Sequence, residues 1–258
     1  MNKHIVLVGG NGAIGQALQE GFHANGDCVT VISRTTRCHS TDILLDAADY
    51  PSLLAGFPKD RVDCLVCLMG SPVNSVVMVP PESFDQVTDS YLKSFYNVLW
   101  LGKELNIPRV ILASSNHAAD IYEQNGFSVL GRPINTQDYP CAKGLYGVYK
   151  GAIENLAQAF YHHYGLSVIN LRIGSYRLDE RTILEQERYM RTWVSKRDLI
   201  DGFVKAAETN VPFGTYYIVS DNPNCPWDIT TTKEELGFRP RENSVDVINR
   251  LSRGGIEE

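Results

Sequence analysis

Apolar residues arrive along this chain in short blocks separated by amphipathic stretches. Ile5-Val6-Leu7-Val8 is an unbroken apolar run that leads straight into Gly9-Gly10-Asn11-Gly12-Ala13-Ile14-Gly15. An amphipathic pattern follows to about Ala24, then Gly26, then a second run, Val29-Thr30-Val31-Ile32. Short aliphatic runs predict strands, and apolar residues spaced by three and four predict the helix between them. The alternation continues. Ile43-Leu44-Leu45-Asp46 predicts a short third strand, and residues 64–69 predict a fourth. Pro80-Pro81 breaks the chain before a helical pattern over residues 82–105. Residues 107–113 read as a fifth strand, residues 145–164 as a long helix, and residues 167–173 as a further strand. Between them, residues 118–143 lack clear periodicity and hold Gly126, Gly131, Pro133 and Pro140. That predicts a long loop, and long loops in compact domains are often functional. Beyond Gly174 the pattern loosens; residues 192–208, 215–219 and a short tail are expected to form a small lobe.

Alternating strands and helices imply an α/β fold, a doubly wound parallel sheet with helices on both faces. The expected division is residues 1–175 for the sheet domain and 176–258 for a small carboxy-terminal substrate lobe with a returning helix and strand, not an independent domain. Ligands of such sheets bind at the carboxyl ends of the strands. Residues 9–15, Ser33-Arg34, Gly70-Ser71, residues 114–117 and Gly174-Ser175 all fall at such ends. Gly9, Gly12 and Gly15 sit between a strand and a helix, the context a dinucleotide fingerprint requires. They allow a tight turn, approach to a pyrophosphate and close helix–sheet packing, while the helix start offers unpaired N–H groups to phosphate. At the end of the second strand an NAD site usually carries a carboxylate for the ribose 2′-hydroxyl. This chain reads Ile32-Ser33-Arg34-Thr35-Thr36-Arg37 instead. A planar guanidinium at Arg34 suits a 2′-phosphate, so NADP is expected over NAD. The plainer alternative makes Arg34 and Arg37 solvated loop charges.

Tyr146 and Lys150 open the long helical pattern four residues apart, and positions i and i+4 share a helix face. At roughly 4 Å and an effective dielectric of about 20, an ammonium and a phenolate interact by about 4 kcal/mol. That is worth about three pH units, enough to bring a tyrosine from ~10 towards ~7. The pair is therefore a candidate base and its activator.

Composition narrows the classes. The chain has 258 residues, is 43% hydrophobic and carries a net charge of −6, which suits one large core. No basic stripe argues for nucleic acid. No apolar stretch approaches a membrane span, and the chain enters its first strand without a leader pattern; a cytoplasmic location is expected. Six cysteines (Cys28, Cys38, Cys64, Cys67, Cys141 and Cys225) are scattered, which fits a reducing compartment. Cys64 and Cys67 stand three apart in a predicted strand, so they point to opposite faces rather than forming a redox or metal pair. The histidines show no metal-ligand spacing.

Taken together, Gly9-x-x-Gly12-x-x-Gly15, a serine ending the fifth strand and Tyr146-x-x-x-Lys150 resemble the extended short-chain dehydrogenases/reductases of the NAD-dependent epimerase/dehydratase superfamily. A closer likeness, to uronate dehydrogenases, rests on Ala113-Ser114-Ser115-Asn116-His117, residues 144–148 and Arg172-Ile173-Gly174-Ser175. It extends to residues 188–193, Trp227-Asp228 and Leu236-Gly237-Phe238-x-Pro240. The resemblance implies a Rossmann-type fold, with Tyr146 as base, Lys150 as its activator and ribose anchor, and Ser115 as the hydroxyl-polarising partner. It implies cofactor contacts from Gly9, Gly12, Ala13, Ile14 and Gly15, from Ser33, Arg34, Asp46 and Ala47, and from Leu68, Met69, Gly70 and Ile173. Ser71, Asn116, His117 and Ser175 would line the sugar, and Arg188 would grip a carboxylate. The implied reaction is oxidation of the C1 hydroxyl of a sugar acid or sugar.

Four positions depart from that pattern. Tyr149 stands where the family usually has a small serine, Tyr91 where it has an asparagine near the lysine, and Pro72 where it has a polar substrate contact. Ser33-Arg34 replaces an acidic residue. A nucleotide-sugar epimerase or reductase is the rival enzyme, although 258 residues leave little room for its larger carboxy-terminal domain. A non-catalytic NADP-binding sensor is the rival from another class, and the retained Tyr146–Lys150 pair argues against it. Relatives commonly pair through their two long helices, so a homodimer is expected.

Overall fold

A computed structural model describes residues 2–34, 42–71 and 76–253. Arg37, Cys38 and Pro72 lie outside these residues. Seven parallel strands form one sheet: β1 (His4–Val8), β2 (Cys28–Ser33), β3 (Ile43–Leu44), β4 (Cys64–Cys67), β5 (Val110–Ser115), β8 (Val168–Ile173) and β9 (Phe213–Ile218). Their order is β3-β2-β1-β4-β5-β8-β9. The order reverses between β1 and β4, and the crevice at such a reversal is where α/β sheets take ligands.

Side-chain alternation explains why the strands read as unbroken apolar runs. Val6, Val8, Leu65, Cys67, Val110 and Leu112 face one core, under α2 (Tyr50–Gly56), α4 (Ser94–Glu104) and α5 (Leu145–Tyr164). Ile5, Leu7, Cys64, Val66, Ile111 and Ala113 face the other, under α1 (Ala13–Ala24) and α7 (Lys196–Glu208). Both faces are covered, so neither needs polar residues. Cys64 and Cys67 accordingly lie in different cores, both free, with burial pushing both thiols up, Cys64 to about 12.

The helix expected over residues 82–105 comes in three pieces. α3 (Pro81–Thr88) and α4 flank one wide turn at Asp89–Lys93, where the Ser94 hydroxyl donates to the Asp89 carbonyl (2.7 Å). Such wide turns insert one residue into a helix and re-aim its neighbours; here the re-aimed residue is Tyr91. The segment expected to be a long loop carries short elements in its first half. A 3-10 run (Asn116–Tyr122) passes into a hairpin of β6 (Glu123–Gln124) and β7 (Phe127–Ser128). Its turn is Asn125-Gly126, both with left-handed backbone (φ 51° and 81°), as a two-residue hairpin demands.

Helix α7 and strand β9 complete the main sheet, with β9 in register with β8 from Val168↔Phe213 to Ile173↔Ile218. What stands apart is a 3-10 turn (Glu180–Leu184), α6 (Glu187–Thr192) and α8 (Ser244–Arg253), joined by a minor core of Ile183, Trp193 and Val247.

Candidate active site

A cavity of about 660 Å³ runs along the carboxyl ends of β1, β2 and β4. Gly9, Gly12, Ser33, Arg34, Asp46, Ala47, Leu68, Met69, Gly70 and Ser71 all line it. The glycine turn is shaped for a close ligand. Gly9 has φ +84°, and a Cβ on Gly15 would stand 2.1 Å from the Gly10 carbonyl oxygen. Gly12 precedes α1 without a capping side chain, so the first helical N–H groups remain for an anion. Ala13 and Ile14 begin that helix and pack partly on the core. The volume, the glycine cradle and the apolar wall at Leu68 and Met69 fit an extended dinucleotide. At the β2 end no carboxylate follows Ile32; Ser33 takes a hydrogen bond from Asn11 Nδ2 (2.7 Å), and Arg34 is exposed at the rim.

Ser71 leads from the cavity to the reactive residues. Its backbone N–H donates to the Tyr91 hydroxyl (3.0 Å), and the Tyr91 ring meets the Tyr146 ring edge-on at 5.2 Å. Ser115 ends β5 level with Ile173 of β8. Its side chain lies beside the Tyr146 phenol, whose value it draws down, and its hydroxyl accepts from the His117 N–H (3.2 Å). The α5 start seats closely here: a Cβ on Gly147 would lie 2.1 Å from the His117 carbonyl oxygen. Two turns on, buried Glu154 holds the helix in place. It accepts from Ser114 Oγ (2.5 Å), Arg172 Nε (2.9 Å) and Arg172 Nη2 (2.7 Å). This ties α5 to β5 and β8 and fixes which way Tyr146 and Lys150 face. Neither Glu154 nor its contacts across the sheet could be found by local spacing.

The Tyr146–Lys150 pair differs electrostatically from the expectation. Burial pushes the Tyr146 phenol up to about 12, against a smaller downward pull from Ser115. Burial also pushes the Lys150 ammonium down to about 8. Desolvation opposes both charged forms and outweighs the attraction between them. Geometry adds to this. Lys150 Nζ donates to the Ala113 carbonyl (2.5 Å) and sits 5.5 Å from the Tyr146 ring centre, boxed by Tyr91 (5.4 Å) and Phe95 (4.5 Å). Aromatic faces at these distances hold a cation. Tyr91 thus belongs to the site. Tyr149 does not: its hydroxyl meets Thr88 Oγ1 (2.6 Å) on α3.

The expected sugar-lining residues converge, but they are already partnered. Asn116 Nδ2 donates to the Ile173 carbonyl (2.9 Å) and its Oδ1 accepts from Arg188 (3.1 Å). Ser175 Oγ meets Thr192 Oγ1 (2.9 Å) and accepts from Arg188 Nη1 (3.2 Å). His117 Nδ1 donates to Asp120 (2.8 Å), and its ring stands 5.6 Å from that of Tyr146. Arg188, expected to grip a substrate carboxylate, holds the carboxylate of Glu123. Glu123 and Asp120 escaped the sequence reading; the Asn125-Gly126 hairpin signal was the clue to the former. Among the described residues no cluster of metal-ligating side chains occurs, and no helix is long and apolar enough to cross a membrane.

Comparison with known proteins agrees with this architecture. The chain is 40% identical to the uncharacterized protein YtbQ of Bacillus subtilis, over 98% of this chain and 99% of that one. It is 29% identical to the L-arabinose 1-dehydrogenase (NAD(P)(+)) of Haloferax volcanii, over 95% of this chain and 98% of that one. A crystal structure of a mutant uronate dehydrogenase from Agrobacterium tumefaciens complexed with NAD superposes with a TM-score of 0.81 at 21% identity, covering 98% of this chain and 90% of that chain; that likeness shows the shared fold. Residues 5–176 match the NAD dependent epimerase/dehydratase family across the glycine turn, the Ser115 strand end and the Tyr146–Lys150 helix, and the chain belongs to that family.

Proposed function

We propose that this protein is an NADP-preferring dehydrogenase that oxidises the C1 hydroxyl of a sugar or sugar acid to a lactone. The observation that carries the proposal is the Tyr146 phenol, with the Ser115 side chain near enough to pull its value down and Lys150 packed beside its ring, beyond the Ser71 end of the dinucleotide cavity. When bound, oxidised NADP supplies a hydride acceptor and a positive charge. Arg34 and the glycine turn would hold it. The residues of this chain do the proton work. Tyr146 takes the proton of the sugar hydroxyl as the C1–H bond gives up its hydride and the C–O bond becomes a carbonyl. Ser115 donates a hydrogen bond to the same oxygen and fixes its position. Lys150, beside the Tyr146 ring, offsets the phenolate charge. In the resting protein the phenol, up at about 12, keeps its proton; it would have to release that proton to solvent, helped by the positive charges of Lys150 and of bound oxidised cofactor, before it could take the proton of the sugar hydroxyl.

The test is turnover. Purified protein with NADP or NAD is offered neutral aldoses, uronates and UDP-sugars, and the absorbance of reduced nicotinamide is followed. Reduction with free sugars, faster with NADP, is the expected result. Cofactor binding with no reduction on any sugar would favour a sensor, and reaction only with UDP-sugars would favour the nucleotide-sugar reading.

A further inference from the structure

The floor of the proposed sugar pocket is already neutralised from within the chain. Arg188 Nε donates to both oxygens of Glu123 (2.9 and 3.1 Å), and its Nη2 donates to Glu123 Oε2 (2.5 Å). Nη2 also donates to Asn116 Oδ1, and Nη1 donates to Ser175 Oγ. Every nitrogen of the guanidinium is therefore engaged. Glu123 is 5% exposed and is itself fixed. Its Oε1 accepts from the Gly126 N–H (2.8 Å) and its carbonyl accepts from Lys143 Nζ (2.5 Å). The hairpin turn that carries it is seated against α6, where a Cβ on Gly126 would touch Arg188 Cα at 3.3 Å.

We infer that Glu123 is a specificity residue that makes this enzyme select an uncharged sugar over a uronate. The inference rests on the dehydrogenase reading above and narrows its substrate class. A uronate carboxylate needs an unpaired cation. To use Arg188 it would have to displace Glu123, and Glu123 would then be left as a buried carboxylate without its ion partner, a strongly unfavourable state. If Glu123 stayed, two carboxylates would share one guanidinium, and the second would meet repulsion. The neighbouring cations among the described residues are each already engaged. Arg191 pairs with the Glu187 carboxylate (3.5 Å) and His117 with that of Asp120 (2.8 Å), while Lys143 is anchored on the Glu123 carbonyl. A neutral sugar meets none of these obstacles, because its hydroxyls add to a hydrogen-bonded network without changing its charge.

The experiment compares ring-matched pairs, D-galactose with D-galacturonate and D-glucose with D-glucuronate. Wild-type protein and Glu123→Gln are each assayed for NADP reduction, and each is titrated calorimetrically when loaded with NADPH, which binds without allowing oxidation of the sugar. The neutral member is expected to show the higher kcat/KM by about tenfold or more, with the difference in KM, and to bind the NADPH complex more tightly. Glu123→Gln, which keeps the shape and removes the charge, is expected to shift the preference by about tenfold or more towards the uronate. Equal or better use of the uronate by wild-type protein, an unchanged ratio in Glu123→Gln, or binding of neither sugar would overturn the inference. Absence of turnover on every sugar, with the binding preference intact, would instead overturn the dehydrogenase reading.

Discussion

Replacing Lys150 with methionine separates stability from activity. Lys150 is buried, and its ammonium is pushed from 10.5 down to about 8 by desolvation. At about 1.4 kcal/mol per pH unit, holding that charge inside costs about 3 kcal/mol near pH 7. Three aromatic rings within 5.5 Å and the Ala113 carbonyl return part of this; cation–π contacts contribute roughly 0.5–1 kcal/mol each. Methionine has similar length, is flexible and needs no partner. Lys150→Met is therefore expected to stabilise the protein by about 1–2 kcal/mol at pH 7, with Tm rising by about 2–4 °C per kcal/mol, while losing sugar oxidation. The sign of the pH dependence follows from the lowered value. Below about pH 8 both folded and unfolded chains hold the proton, and the wild-type protein bears the full penalty. Between about 8 and 10.5 the unfolded chain keeps a proton that the folded chain has released, so wild-type stability rises with pH. The advantage of methionine should shrink across that window and vanish above it. Urea unfolding of both proteins at a series of pH values reads this directly. A variant less stable than wild type at pH 7, or a difference that does not change with pH, would refute the reasoning.

Two other substitutions probe the cofactor end and the departures from the family pattern. Arg34→Ala should weaken NADP binding about 10–100-fold, the loss of a charged hydrogen bond, and leave NAD binding nearly unchanged; equal losses by titration would remove the phosphate role. Tyr149→Phe removes the hydroxyl that meets Thr88 and should lower stability by about 1 kcal/mol; kcat should stay within about twofold, and a large fall would place Tyr149 in the site after all.

The parts of this fold that a linear reading finds are those written in adjacent residues. Residues 3–32 and 145–164 carry their periodicity, glycines and apolar runs in sequence, and β1, β2 and α5 lie where that periodicity puts them. The Tyr146–Lys150 pair is legible for the same reason. What escapes is set by distant residues. Glu123 and Arg188 are 65 positions apart, and Glu154 and Arg172 meet only because α5 crosses β8. The wide turn that aims Tyr91 breaks helical periodicity by one residue, which a fixed repeat cannot reveal. β9 reads as part of a lobe because Phe213-Gly214-Thr215 opens it without an unbroken aliphatic run, and its place at the sheet edge comes from pairing with β8 alone. The Tyr146 environment escapes for another reason: spacing reports which charges are neighbours, and says nothing of the water each has lost.

The most direct test is single-turnover reduction of NADP by the neutral sugar in wild-type protein and in Tyr146→Phe, with cofactor and sugar affinities measured alongside. If Tyr146 takes the hydroxyl proton, the variant binds both ligands and reduces the cofactor about 10²–10⁴-fold more slowly. Reduction at the wild-type rate would contradict it.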